Sequence, residues 1–74
     1  MTRNEVARVQ SHLRKTFGNN GIEIDMPEKA GQPVEVRVDS EFIAVLHRDE
    51  DEGEVSYSMV MSIIEEDLPP DLAR

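Results

Sequence analysis

VEVRVDSEFIAVLHRDEDEGEVSYSMVMSI, residues 34–63, reads as three β-strands in series. Val34, Val36 and Val38 alternate with Glu35 and Arg37, the period of two that puts one face of a strand in a core and the other in water. Asp39-Ser40 has tight-turn chemistry. Phe42 to Arg48 follows as a strand, and Asp49-Glu50-Asp51-Glu52-Gly53 as an acidic loop. Val55, Tyr57, Met59, Met61 and Ile63 then alternate with Ser56, Ser58, Val60 and Ser62 in a long last strand. The segment Ser62 to Asp67 reads equally as more strand or as a short helix.

The turns set a register. Val38 opposite Glu41 brings Val36 to Ile43 and Val34 to Val45. A five-residue acidic loop sets Arg48 opposite Glu54, Val45 opposite Tyr57 and Ile43 opposite Met59. Both choices place Val34, Val36, Val38, Ile43, Val45, Val55, Tyr57, Met59, Met61 and Ile63 on one face. A one-residue slip would turn a strand's side chains over, so the agreement favours this register. The other face then carries an apolar spot of Phe42, Ala44, Leu46 and Val60.

Working outward, the chain opens with an amphipathic helix. Thr2 and Glu5 fit a capping box, in which each side chain accepts the other's backbone N–H. Val6, Val9, Leu13 and Phe17 fall on one stripe at about 100° per residue. Gly18 suits the left-handed closing position, and Asn19-Asn20-Gly21 completes the turn. Ile22 and Ile24 alternate with Glu23 and Asp25 in a short strand, and residues 27–33 (PEKAGQP) form a loop. Short connections make sequential strands antiparallel neighbours. The expected fold is α+β: an N-terminal helix packed on a four-stranded antiparallel meander (α-β-β-β-β), ending in a short C-terminal helix or tail. Residues 1–67 form one domain and residues 68–74 a Pro-rich tail.

The chain has 74 residues and no cysteine. No disulfide staples so small a core, which points to a cytoplasmic protein rather than a secreted one. No apolar run suits a signal peptide or a membrane span. The net charge is −8, but residues 1–17 carry Arg3, Arg8, Arg14 and Lys15 against Glu5 alone. The acidic remainder repels nucleic acid and anionic membrane, so neither is expected as a partner.

Few residues offer chemistry. Asp49, Asp51 and Gly53 suggest a calcium loop, but such a loop needs glycine at its sixth position and glutamate at its twelfth, where this chain has Glu54 and Val60. His12 and His47 sit at no two-ligand spacing. Ser56, Ser58 and Ser62 lie on the opposite face of the sheet from His47 in the register above, and no nucleophile elbow or phosphate loop exists. Neither a catalytic site nor a cofactor is expected.

The helix end Leu13-Arg14-Lys15-Thr16-Phe17-Gly18, the strand Glu41-Phe42-Ile43-Ala44-Val45-Leu46, the run Arg48 to Glu54 and Ser56-Tyr57 together resemble a family of short alphaproteobacterial proteins known only as a domain of unknown function. The resemblance covers nearly all of the chain and implies a stand-alone cytosolic protein, with no activity or site residues to carry over. The helix-then-meander order also resembles the cystatin-like arrangement, a likeness of fold alone.

Two functional expectations follow. In the first, the protein is an interaction module, a homodimer or the binder of an unidentified protein, meeting its partner through Phe42, Ala44, Leu46, Val60, Met61 and Ile64. One helix leaves one sheet face uncovered, and Leu68 and Leu72 of the tail are the other candidates to cover it. In the second, it is a small regulator that takes a ligand or divalent cation on Asp49, Glu50, Asp51, Glu52 and Glu54.

Overall fold

A computed structural model describes residues 1–29 and 31–71 of the chain. Leu72 therefore lies outside the described residues. The elements are helix α1 (Arg3–Phe17), strands β1 (Ile22–Asp25), β2 (Val34–Val38), β3 (Glu41–Asp51) and β4 (Glu54–Val60), and a 3-10 turn at Glu65–Asp67. The strands form one antiparallel sheet in the order β1-β2-β3-β4. The expected architecture is the observed one; of the undecided 62–67 segment, residues 62–64 belong to no element and Glu65–Asp67 form the 3-10 turn.

The helix begins as its sequence dictates. The Glu5 N–H donates to Thr2 Oγ1 at 3.1 Å, and the Thr2 N–H donates to Glu5 Oε1 at 2.9 Å. Gly18 closes the helix at φ 60°, where a side chain would be strained. Val6 is buried and Val9 and Leu13 are half-buried, while Phe17 overshoots the sheet and stays exposed. The helix makes its closest approach to β1. The core consists of Val6, Ile22, Ile24, Val34, Val36, Ala44 and Leu46, with Met1, Val9, Leu13, Val38, Ile43, Tyr57 and Met59 packed around it.

The register differs from expectation in two places. Val38 does oppose Glu41, and Arg37 opposes Phe42, but Val36 then opposes Ala44 and Val34 opposes Leu46. Ile43 is the extra residue of a β-bulge, which shifts the rest of β3 by one position. At the other end, the acidic run is strand rather than loop. The turn is only Glu52-Gly53, with φ of 51° and 81°, the paired positive values of a two-residue type I′ hairpin. Asp51 opposes Glu54, Arg48 opposes Tyr57, Leu46 opposes Met59 and Val45 opposes Val60.

Both corrections are odd shifts. The first turns β3 over beyond Phe42, and the second turns the sheet back, so β4 still points Tyr57 and Met59 at the helix. The interface expected at Ala44 and Leu46 is therefore wrong: these side chains are 2% and 4% exposed and belong to the core. Phe42, Val60, Met61 and Ile64 do stay at the surface. β4 also stops at Val60 rather than Ile63, because the next positions would have to pair across the bulge.

The long β3–β4 hairpin projects past the helix. The Cα radius of gyration is 14.6 Å and the longest dimension 49 Å, against about 11 Å expected for the radius of a compact chain of this length.

Candidate functional site

The two outer strands, β1 and β4, each present a row of backbone groups with no strand beyond them. At β1 the helix takes up two of those groups. The Ile24 N–H donates to Gln10 Oε1 at 2.9 Å, and Arg14 Nε donates to the Ile22 carbonyl at 2.8 Å. The spacing explains the fit. Residues four apart on a helix rise about 6 Å, and residues two apart on a strand rise about 6.6 Å. Gln10 and Arg14 thus meet Ile24 and Ile22 as a matched pair.

At β4 nothing comparable occurs. Among the described residues, no side chain, and no backbone group outside β3, hydrogen-bonds to the β4 backbone. The side chains there are also unusual for this chain. Residues 55–64, VSYSMVMSII, carry no charge, while Glu54 and Glu65 bound them on either side. Val60, Met61, Ile63 and Ile64 are each at least half exposed, and Phe42 of β3 adds its ring at 54%. Together they border an open depression of about 820 Å³.

A polar latch anchors the hairpin that carries β4. Glu5 Oε2 accepts from Arg48 Nε at 2.7 Å and from the Tyr57 hydroxyl at 2.5 Å, while Oε1 holds the helix cap. The Tyr57 hydrogen bond, with the Thr2 N–H and Arg48, lowers the Glu5 pKa to about 2, well under its ordinary 4.5. The same carboxylate raises the pKa of Tyr57 and of Arg48. Sequence reading assigned Glu5 to the cap alone. Its second role becomes visible once Arg48 and Tyr57 are known to face each other on the helix side of the sheet. On the opposite face, Arg37 grips Asp25 through two bonds of 2.6 and 2.9 Å and lowers its pKa.

The acidic residues are dispersed rather than gathered. Asp49, Glu50 and Asp51 alternate along β3 and so point to both faces, Glu52 is in the turn and Glu54 opens β4. Glu50 pairs with Arg48 at 3.2 Å, and Asp49 accepts from Ser58 Oγ at 3.3 Å. Among the described residues, no three His, Cys, Asp or Glu side chains are grouped so as to hold a metal ion.

The corrected register brings His47 directly opposite Ser58, on one face with Asp49, where the sequence had separated them. These residues do not reproduce a nucleophile–base relay. Ser58 gives its hydrogen bond to Asp49 rather than to His47, and all three are exposed. His12 lies elsewhere, on an exposed flank of α1, its Nε2 3.3 Å from Thr16 Oγ1.

The family model described as Protein of unknown function (DUF3126) matches residues 5–67, which span nearly all of α1, the four strands and the 3-10 turn. The chain belongs to the DUF3126 family. No curated protein and no solved structure matches this DUF3126 chain. Among its described residues, no helix is long and apolar enough to cross a membrane.

Proposed function

We propose that this DUF3126 protein is an interaction module that binds a second copy of itself through β4 and the apolar residues that follow it. The observation that carries this reading is the contrast between the edges: the chain closes β1 with its own helix and leaves β4 open along its longest uncharged run. Edge association satisfies unpaired backbone groups and buries side chains together, so it is a low-cost route to a dimer.

Charge favours a second copy at this place. Two chains of net charge −8 repel each other. Close approach is least opposed where acidic residues are missing, and of the two longest such stretches, 6–22 and 55–64, it is 55–64 that lies on an open strand edge. A basic partner would instead be drawn to the carboxylates at the hairpin tip. Area points the same way. A compact monomer of 8.4 kDa exposes about 4,600 Å², and this chain exposes 6042 Å². The excess, about 1,400 Å², exceeds the roughly 800 Å² each partner contributes to a standard interface.

Light scattering on the eluting protein at micromolar concentration tests the reading. The expected mass is twice 8.4 kDa. Met61→Lys, which places a charge just past the end of β4, should weaken self-association at least tenfold and return the monomer mass. A monomer mass for the unaltered chain at every concentration would sink the proposal.

A further inference from the structure

The open edge and the uncharged run restrict how two copies can meet, and this step rests on the self-association just proposed. The geometry points to antiparallel pairing of β4 with β4 of a second copy about a twofold axis, with Met59 opposite Met59. The two sheets then join into one of eight strands.

The first constraint is parity. Residues directly opposite each other across an antiparallel pair point to the same face. In β4, Tyr57 and Met59 face the helix side and Ser58 and Val60 face away. A twofold axis must therefore set one residue opposite its own copy, with odd positions meeting odd and even meeting even. Such an axis stands perpendicular to the sheet, so both helices lie on the same face of the joined sheet.

The second constraint is charge. Setting Val60 opposite itself would put Val55 against Glu65 and Glu54 against Glu66 of the second copy, the latter a like-charge pair. Setting Ser58 opposite itself would run Ile63 and Ile64 against Gly53 and Glu52 of the hairpin turn. Setting Met59 opposite itself pairs Val55 with Ile63, Tyr57 with Met61, Ser56 with Ser62 and Ser58 with Val60, every one uncharged. On the helix side, this places a methionine sulfur beside each tyrosine ring, a favourable contact. On the far side it places hydroxyl against hydroxyl. The pairing needs residues 61–63 to prolong β4. The chain is already extended at Ile64, with φ −87° and ψ 147°, and 61–63 lie beyond the ladder to β3.

The chain has no cysteine, so single introduced thiols report this register without background. Met59→Cys should form a disulfide-linked dimer under oxidised glutathione, and Ser56→Cys, far from its own copy, should not. Met59 packs against the core, so a second experiment uses exposed sites only. Ser58→Cys mixed with Val60→Cys should give mainly the mixed dimer, because those two positions face each other. Light scattering on each reduced variant separates the two proposals. A dimer mass with these cross-links supports the register. A dimer mass in which Val60→Cys links chiefly to itself overturns the register. A dimer mass with no link anywhere on β4 overturns strand pairing while self-association stands. A monomer mass overturns both.

Discussion

At the β1 edge, Gln10 and Arg14 of the helix take up the Ile24 N–H and the Ile22 carbonyl. At the β4 edge, on the far side of the same sheet, no described group outside β3 does so, and the side chains are uncharged for ten residues, 55–64. The contrast shows how a single helix divides its work. Its apolar stripe covers β1, β2 and the inner part of β3, and its polar flank seals the nearer edge. The helix meets β4 through side chains alone and leaves that strand's outer backbone groups without a partner among the described residues. Beyond that packing, Glu5 ties the helix to the β3–β4 hairpin by holding Arg48 and Tyr57. One edge is thus bonded within the chain, and the other is the edge through which we propose that a second copy binds.

The largest expected effect tests which face of β3 is sealed, since the contrast requires Leu46 inside and Phe42 outside. Leu46→Ala should cost about 2–5 kcal/mol in a denaturant titration. Phe42→Ala should change chain stability by no more than about 0.5 kcal/mol. The reverse ranking would mean that β3 is turned over and that the corrected register is wrong.

A smaller effect comes from unsealing the closed edge. Gln10→Ala removes the acceptor for the Ile24 N–H and should cost about 1 kcal/mol. It should also let the chain associate at both edges, seen as species heavier than a dimer by light scattering at high concentration. A variant as stable and as small as the parent would show that Gln10 does not protect β1.

The smallest effect is read from the acid limb of stability. The Glu5 pKa is held at about 2 by the latch, below its ordinary 4.5. A lowered carboxylate contributes stability that is complete above about pH 4.5 and is lost as pH falls toward 2. Glu5→Gln should therefore be less stable than the parent at neutral pH. It should show a shallower fall in stability between pH 4.5 and 2, measured by denaturant titration across that range. Parallel acid limbs in the two proteins would place the latch's contribution elsewhere.

Much of this was legible in the sequence, and the remainder failed for one identifiable reason. The Thr2–Glu5 box, the stripe from Val6 to Leu13 and the alternation of Val34, Val36 and Val38 each act locally, so they give the helix and the strand order directly. The facing of β3 depends on counting residues across turns. Phe42-Ile43-Ala44-Val45-Leu46 is apolar on both faces, so its own pattern cannot decide which side is buried. A bulge at Ile43 and a two-residue turn in place of a five-residue one each moved the count by an odd number. The errors cancelled at β4, and the register looked self-consistent while Ala44 and Leu46 were misplaced. Glu52-Gly53 held the missing signal, since glycine in second place suits a type I′ turn. The run of acidic residues masked it by reading as loop. The seal on β1 had no local signal, because it depends on where the helix crosses the sheet.

The most direct comparison of the two edges is amide hydrogen exchange, residue by residue, across a range of protein concentrations. The Ile24 amide, bonded to Gln10 within the chain, should exchange slowly and equally at every concentration. The outward amides of residues 54–60 should exchange fast when the protein is dilute and slow progressively as concentration rises, as a second copy covers them. Outward β4 amides that exchange fast at all concentrations, beside a protected Ile24, would contradict the claim that this edge is built to be closed by another copy of the chain.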